Sequence, residues 1–104
     1  MTARQIQLGD ITIANDRPFT LLGGVNVLED LDFALRCSAH YKAVCGSLNI
    51  PLVFKASYDK ANRSSIHSFR GPGLQEGLAI LQAVKETHGT VSYTHLTLPT
   101  IYSV

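Results

Sequence analysis

The sequence has few of the features that would assign the chain to a specialised class of protein. Among its 104 residues it has no tryptophan and two cysteines, and its net charge is +1. No apolar run approaches the roughly 20 residues that span a bilayer, and the N-terminus lacks the basic and apolar segments of a secretory signal. The near-neutral charge gives no general attraction to nucleic acid or to membranes. We therefore expect a globular cytoplasmic protein that has neither nucleic acid nor a membrane as a partner.

Cys37 and Cys45 indicate neither a disulfide nor a metal site. They lie eight positions apart on one predicted helix, which is about 12 Å along its axis and too far for a disulfide. The chain has no cysteine or histidine cluster at the spacing of zinc ligands. We expect both cysteines to behave as small buried or half-buried residues.

Apolar patterning predicts a hairpin and two strands. Isoleucine and leucine alternate with polar residues on either side of Gly9 and Asp10, which are typical of a two-residue hairpin turn. Short apolar runs predict strands over Phe19–Gly23 and Leu52–Ala56. The near-continuous apolarity of the second run is typical of a parallel strand covered on both faces.

Two helices are predicted to alternate with these strands, which gives an α/β fold. The first begins after a cluster of acids near Glu29, where acids complement the helix dipole, and ends around Asn49. The second is capped at its C-terminus by Gly89. The predicted stripes are Leu31, Ala34, Leu35, Ser38, Tyr41 and Cys45 in the first helix, and Leu74, Leu78, Leu81, Val84 and Lys85 in the second.

The most informative segment is residues 53–73, VFKASYDKANRSSIHSFRGPG. It continues from the second predicted strand and carries four cations among small hydroxyl and amide side chains. Arginine presents a planar fork to phosphate and lysine a compact charge, so the set suits a ligand with several anionic groups. A solvent-exposed basic loop is the alternative, because runs of charge are usually exposed faces. The cations are Lys55, Lys60, Arg63 and Arg70, and they lie among Ser57, Asn62, Ser64 and Ser65.

The order of residues here resembles the active-site segment of the 3-deoxy-D-manno-octulosonate 8-phosphate synthase family. KANRSS followed by RGPG carries the resemblance, which extends upstream through Leu22–Glu29 and downstream to about Gly89. Such enzymes are (β/α)8 barrels, which typically have about 250 residues. The resemblance implies that residues 1–90 are the N-terminal part of a class I aldolase-like TIM barrel: the N-terminal hairpin and the first two βα units, truncated.

The resemblance also implies a transferase reaction of bacterial lipopolysaccharide biosynthesis. Phosphoenolpyruvate would condense with D-arabinose 5-phosphate to give 3-deoxy-D-manno-octulosonate 8-phosphate and inorganic phosphate. The intact enzyme would be a homo-oligomer, the tetramer of the family. With two of eight βα units, the 104-residue chain alone is expected to be inactive.

The family's site residues transfer to matching positions of this sequence. The expected catalytic residues are Asn26 and Lys60. Phosphoenolpyruvate would be bound by Lys55, Ser57 and Lys60, and the sugar phosphate by Asn62, Arg63 and Ser64, with Arg63 and Ser64 gripping the phosphate across a subunit boundary.

Asn26 bears on the question of a metal. In the metal-dependent branch of the family a cysteine stands at this position and supplies a thiolate ligand. Asparagine is a poor ligand for a soft transition-metal site. The resemblance therefore implies an enzyme without a metal or another cofactor, in which Asn26 orients substrate or water by hydrogen bonds.

Residues 91–104, VSYTHLTLPTIYSV, depart from the family pattern, which has a third apolar strand ending near an aspartate and a histidine. Residues 91–100 can be back-translated into the transposase-end adapter of a common sequencing library kit, and the rest into a short index, constant adapter and stop codon. A natural strand is the alternative, because valine, tyrosine and threonine favour strands. We predict a non-native, adapter-encoded tail and leave it out of the fold prediction.

Two other functions stay open. A sister enzyme of aromatic biosynthesis condenses phosphoenolpyruvate with erythrose 4-phosphate, but it typically follows its active-site lysine with a proline–arginine–threonine pattern. Residues 61–65 here read ANRSS and do not match that pattern. A non-catalytic phosphosugar-binding module of naturally small size is the other alternative.

Overall fold

The computed structural model describes residues 4–61 and 67–94, together with the backbone of residues 96 and 97. A three-stranded parallel sheet is packed against two helices and follows an antiparallel hairpin. This mixed arrangement with a parallel sheet confirms the predicted α/β class. In chain order the elements are β1 (Gln5–Leu8), β2 (Ile11–Ala14), β3 (Leu21–Val27), α1 (Leu31–Ser47), β4 (Leu52–Ser57), β5 (Asp59–Lys60), α2 (Leu74–His88), β6 (Val91–Tyr93) and β7 (Leu96–Thr97).

β1 and β2 form the predicted hairpin. Ile6 pairs with Ile13 in antiparallel register. Gly9 in the turn has a φ of 60°, a left-handed conformation that glycine adopts without steric penalty. The turn residues are those that the sequence predicts.

β4 is the central strand of the parallel sheet, between β3 and β6, and it supplies much of the core. All of its side chains are buried except Lys55, which is half-buried, as expected for a parallel strand covered on both faces. Phe54 is completely buried, and burial of such a side chain contributes roughly 1.5–3 kcal/mol. Phe54 and Ala56 lie in one cluster with Leu28, Ala34, Ile80, Leu81 and Val84.

α1 begins after Asp30, whose carboxylate accepts a hydrogen bond from the amide of Phe33 at 2.7 Å. Such an N-cap contributes typically about 1 kcal/mol. At the other end Asn49 has a φ of 56° and Pro51 follows, so the helix cannot continue. The predicted ends are confirmed. Leu31 was predicted to lie on the buried stripe, but in the first turn of the helix it is 46% exposed.

α2 ends as predicted, because Gly89 adopts the left-handed conformation and donates to the carbonyl oxygen of Lys85 at 2.7 Å. The predicted stripe is partly wrong, since Leu74 and Leu78 are about half exposed. The buried face consists of Gly77, Ile80, Leu81 and Val84, because the missing side chain of Gly77 allows the helix to pack closely on that side. Neither helix in the described part of the chain is long and apolar enough to cross a membrane.

β3 starts later and ends later than the predicted strand Phe19–Gly23. Phe19 is 66% exposed, and pairing with β4 begins only at Leu21, whose amide donates to the carbonyl oxygen of Pro51 at 2.9 Å. The strand then continues through both glycines to Val27. The predicted strand ends at Gly23, whereas parallel pairing with β4 keeps both glycines in the sheet.

Residues 91–93, which the fold prediction left out, form β6 on the other side of β4. Val91 pairs with Val53 and Ser92 with Phe54 in parallel register. The side-chain hydroxyls of Ser92 and Thr94 are buried and have no hydrogen-bond partner among the described residues. The prediction that this segment is adapter-encoded concerns its origin and stays a prediction.

Candidate active site

The carboxyl ends of β3 and β4 lie side by side, because the two strands run parallel and are neighbours in the sheet. Gly24 is the register partner of Lys55, and Val27 is the partner of Ser57. Asn26 lies between these two pairs along β3. The structure therefore brings Asn26, Lys55 and Ser57, three of the predicted site residues, to one end of the sheet.

A β-bulge places Asn26 at this position. The register shifts between Gly24 and Val27, so that three steps along β3 match two steps along β4. A bulge inserts one residue into a strand, bends it and redirects the neighbouring side chains. Asn26 is exposed whereas Val27 is buried. The inserted residue thus coincides with the change from the exposed amide of Asn26 to the buried side chain of Val27.

Lys55 and Ser57 share one face of β4. They lie two residues apart, and side chains of a strand alternate between its faces, so both are on the opposite face from Phe54 and Ala56. Ser57 is completely buried and Lys55 is half-buried. The face away from the helices therefore carries an ammonium group and a hydroxyl at the carboxyl end of a parallel strand, where barrel enzymes bind their substrates.

Two adjacent glycines let β3 approach its surroundings closely. A β-carbon on Gly24 would overlap the carbonyl group of Lys55, and one on Gly23 would lie 3.2 Å from Cε1 of Tyr41. Glycine inside a strand often marks such a close approach of backbone. Lys55 can keep its place only because residue 24 has no side chain.

Lys60 is fixed at the base of the following loop. It is the second residue of β5 and is only 9% exposed. Its amide donates to the carbonyl oxygen of Arg70 at 2.6 Å, and the amide of Gly73 donates to the carbonyl oxygen of Tyr58 at 3.0 Å. These two bonds join the chain before residue 61 to the chain after residue 69, so that Lys60 is held directly beyond the end of β4.

Arg70 is paired within the protein. Its Nε and Nη2 donate to the two carboxylate oxygens of Asp59 at 2.8 and 2.9 Å, a bidentate geometry. The sequence interpretation counted Arg70 among four cations for an anionic ligand, but its guanidinium is engaged by a neighbouring acid. Because the arginine side chain is 54% exposed, the pair contributes at most about 1 kcal/mol. Its main effect is to fix the base of the loop.

The RGPG turn packs against Tyr58. Gly71 and Gly73 have φ values of 121° and 89°, which residues with a side chain rarely adopt. A β-carbon on Gly71 would overlap the carbonyl group of Tyr58, and one on Gly77 would lie 2.8 Å from Cβ of Tyr58. Glycine at these positions therefore allows the turn and the first part of α2 to lie against the residue that follows β4.

Asn62, Arg63 and Ser64 lie outside the described residues. The contacts with a sugar phosphate that the resemblance assigns to them stay predictions. The described residues on either side of them show that both ends of this segment are joined at Lys60 and Arg70.

The described residues contain no group of three or more histidine, cysteine, aspartate or glutamate side chains that could hold a metal ion. Cys45 is buried and Cys37 is half-buried, as predicted, and both are free thiols. The expectation of a metal-independent enzyme depends on Asn26 and stays a prediction.

Three residues with a structural role at this site were not assigned one from the sequence. Tyr41, predicted only as part of a helical stripe, donates from its hydroxyl to the carbonyl oxygen of Gly24 at 2.9 Å, a contact that no local spacing indicates. Tyr58 and Asp59 lie inside the most informative segment. In the sequence Asp59 lies between Lys55 and Lys60, and an acid among cations indicates that one of the nearby cations has a partner within the protein.

Comparison with known proteins places this geometry in context. The sequence pattern of the DAHP synthetase I family matches residues 2–101. The chain is 79% identical over 99 residues to a protein of Parasynechococcus marenigrum (strain WH8102) named 2-dehydro-3-deoxyphosphooctonate aldolase. Proteins with the same name from Synechococcus sp. (strain WH7803) and Pectobacterium carotovorum subsp. carotovorum (strain PC1) are 67% identical over 99 residues and 58% identical over 89 residues.

These matches cover most of the chain but a smaller part of each relative. The matches with Parasynechococcus and Synechococcus cover 95% of this chain and 35% of the relative, and the match with Pectobacterium covers 86% and 31%. The chain therefore spans about a third of the length of the curated relatives that it matches.

Proposed function

The chain belongs to the DAHP synthetase I family, and from this premise we propose that it is part of an enzyme that condenses phosphoenolpyruvate with D-arabinose 5-phosphate. The products are 3-deoxy-D-manno-octulosonate 8-phosphate and inorganic phosphate. The observation that carries the proposal is the presence of Asn26, Lys55 and Ser57 together at the carboxyl ends of two parallel strands. The names of the relatives, 2-dehydro-3-deoxyphosphooctonate aldolase, support the same reaction.

The charges of the site suit this chemistry. The reaction joins the enol methylene carbon of phosphoenolpyruvate to the aldehyde carbon of the sugar, water adds at the neighbouring carbon, and phosphate leaves from that carbon. Phosphoenolpyruvate brings a carboxylate and a phosphate. Lys55 and Lys60 supply cations whose backbone is fixed before the ligand arrives, by the close contact with Gly24 and by the bond to Arg70. Preorganised charge of this kind is a main source of catalysis.

Asn26 contributes hydrogen bonds rather than charge. Its amide offers two donors and an acceptor, and the bulge presents it to solvent beside the strand that carries Lys55 and Ser57. We propose that this amide orients phosphoenolpyruvate or the attacking water. No proton transfer and no metal are required of it.

Several wider expectations belong to the same proposal. The βαβ order of β3, α1 and β4 with parallel pairing supports a place in a (β/α)8 barrel. The expected assembly is a homo-oligomer, the tetramer of the family, in which Arg63 and Ser64 reach the sugar phosphate across a subunit boundary. The expected location is the cytoplasm.

The test uses a chimera in which residues 1–90 of this chain replace the matching segment of the Parasynechococcus marenigrum relative. Phosphate release is measured with phosphoenolpyruvate and either D-arabinose 5-phosphate or erythrose 4-phosphate, with the unmodified relative as the control. We expect turnover with arabinose 5-phosphate. Turnover with erythrose 4-phosphate alone would assign the chain to the sister reaction, and binding of both substrates without phosphate release would favour a non-catalytic module.

Two substitutions in the chimera test the assigned roles. Arg63→Ala should weaken the use of arabinose 5-phosphate by the equivalent of about 1.5–3 kcal/mol, because it removes a charged hydrogen bond. Lys60→Ala should impair the use of phosphoenolpyruvate. Arg17→Ala is the matched control, since Arg17 is exposed and precedes β3, at the amino end of the sheet. Unchanged kinetic constants in the Arg63 and Lys60 variants would refute both roles.

We also propose that residues 91–104 are not native. The buried hydroxyls of Ser92 and Thr94, which have no partner among the described residues, support this proposal. The family pattern matches through residue 101, so the match includes part of the segment. Agreement with the relatives residue by residue over that part would count against the proposal.

A further inference from the structure

Tyr41 on α1 contacts both strands of the candidate site from the helix side. Its hydroxyl donates to the carbonyl oxygen of Gly24 at 2.9 Å. Its ring meets the ring of Phe54 edge-on, with 6.1 Å between the centroids. Gly24 is the register partner of Lys55, and Phe54 precedes Lys55 on β4. One side chain therefore contacts the immediate neighbours of Lys55 on both strands.

Gly23 makes room for this contact. A β-carbon on residue 23 would lie 3.2 Å from Cε1 of Tyr41, so the ring would have to move. With glycine in place, the tyrosine hydroxyl reaches the carbonyl group of Gly24, where the bulge that contains Asn26 begins.

We propose that Tyr41 is a positioning residue for Asn26 and Lys55, an inference that rests on the proposed function. The hydrogen bond fixes the carbonyl of Gly24 and with it the point where the bulge leaves the regular strand. Because the backbone of Gly24 lies directly against the carbonyl group of Lys55, the same bond limits displacement of β4 at the lysine. Misplacement of a reacting group by about 1 Å can reduce a rate by about 10²-fold, so a small shift at this point matters.

The hydroxyl, rather than the ring, is the group to test. Phenylalanine at residue 41 would keep the packing against Gly23 and Phe54 and would lose only the bond to Gly24. Among the described strands β3 has one neighbour, β4. The hydrogen bond from Tyr41 therefore fixes the backbone of β3 in addition to its pairing with β4.

The experiment compares Tyr41→Phe with Ser38→Ala in the chimera. Ser38 lies one turn earlier on α1, is completely buried, and donates from its hydroxyl to the carbonyl oxygen of Leu35 at 3.1 Å. Both variants lose one bond from a hydroxyl to a carbonyl, but the bond of Tyr41 reaches β3, whereas the bond of Ser38 stays within α1. We expect Tyr41→Phe to lower kcat about tenfold, with KM for both substrates within about twofold, which is the rate effect of one ordinary hydrogen bond. Ser38→Ala should leave kcat unchanged.

Amide exchange provides a readout that does not depend on turnover. Exchange over residues 24–27 should be faster in Tyr41→Phe than in the unsubstituted chimera, and Ser38→Ala should leave it as it was. An unchanged kcat in Tyr41→Phe, or an equal fall in both variants, would overturn the inference in an active chimera. Unchanged exchange over residues 24–27 would overturn it even in an inactive one. An unsubstituted chimera that releases no phosphate would count against the proposed function alone.

Discussion

β4 has a neighbouring strand on each side, and the two neighbours fit it differently. On one side, β3 has glycine at residue 24, where any side chain would overlap the carbonyl group of Lys55. The amide of Leu28 extends this side with a hydrogen bond to the carbonyl oxygen of Ser57 at 3.0 Å. On the other side, the hydroxyls of Ser92 in β6 and of Thr94 directly after it are buried and have no partner among the described residues.

The difference concerns which face each side chain occupies. Ser92 is the middle residue of β6, and Thr90 and Thr94 directly flank this strand. Ser92 pairs with Phe54 and therefore shares the face that packs on the helices. Buried polar groups in native proteins are nearly always hydrogen-bonded. Thr20, just before β3, also has a buried hydroxyl without a partner, so the contrast is between one such group and three. β3 fits against β4 through a close backbone contact and hydrogen bonds. β6 consists of residues that favour strands, but the hydroxyl of Ser92 is buried beside β4 without a partner among the described residues.

The largest expected effect comes from exchanging the β6 side. A second chimera, in which residues 1–104 instead of 1–90 replace the matching segment of the relative, would keep the tail in place. Each buried hydroxyl without a partner costs about 1–3 kcal/mol, and a typical domain has only about 5–15 kcal/mol of stability. We expect the free energy of unfolding in denaturant to fall by several kcal/mol and phosphate release to be lost.

Equal stability and activity of the two chimeras would contradict the conclusion that β6 fits beside β4 less well than β3 does. The direct control is to sequence the source DNA without the adapter in question. Recovery of the same residues 91–104 would show that the tail is native.

A second large effect is expected on the β3 side. Gly24→Ala in the 1–90 chimera would force a methyl group into the carbonyl group of Lys55. Because the backbone of residue 24 fixes the position of the methyl group and the group that it meets is also backbone, we expect a loss of about 3 kcal/mol or more, at the upper end for overpacking. The matched control is Gly46→Ala in α1, where a β-carbon would meet no atom within 4 Å. This variant should gain roughly 0.5–1 kcal/mol, because alanine favours a helix. Equal thermal unfolding of the two variants would contradict the tight fit of β3.

A smaller effect is expected from repairing β6. In the chimera that retains the tail, Ser92→Ala and Thr94→Val should each raise the free energy of unfolding by about 1 kcal/mol, because each removes a buried hydroxyl that lacks a partner. Thr12→Val is the control, since the hydroxyl of Thr12 donates to the side chain of Gln7 at 2.9 Å and its removal should not stabilise the protein. A loss of stability in the Ser92 and Thr94 variants would show that the hydroxyls have partners in the assembled protein.

No effect is expected from removing metal ions. The family resemblance predicts that Asn26, on the β3 side, stands where the metal-dependent branch has a cysteine, and an amide is a poor ligand for a soft metal. Chelator treatment of the 1–90 chimera should leave phosphate release unchanged. Loss of activity that a divalent ion restores would move the chain to the other branch.

The parts of the fold that local signals determine were predictable from the sequence. The hairpin turn at Gly9, the start of α1 after the acids and the cap at Gly89 each depend on residues close in the chain, and all three are confirmed. The bounds of β3 were not predictable in this way, because pairing with β4 carries the strand through two glycines. The exposed side of α2 also depends on packing, since the close approach at Gly77 determines which face is buried.

The site was predictable to a similar extent. Resemblance to a family identified Asn26, Lys55 and Ser57, and the structure brings them together. The resemblance could not indicate that Arg70 is paired with Asp59, because the residue types alone do not show which cation has a partner within the protein. The bond from Tyr41 to Gly24 connects residues 17 positions apart, and such contacts appear only when a helix is packed on a sheet.

The two ends of the segment that follows β4 are held together, which determines how much this segment can vary in length. Lys60 and Arg70 meet through a backbone hydrogen bond, and Asp59 and Arg70 through their side chains. When the ends of a segment are already held together, lengthening it adds little further loss of chain entropy, about 0.6 kcal/mol for each doubling. Insertions between residues 61 and 69 would therefore leave β4 and α2 in place.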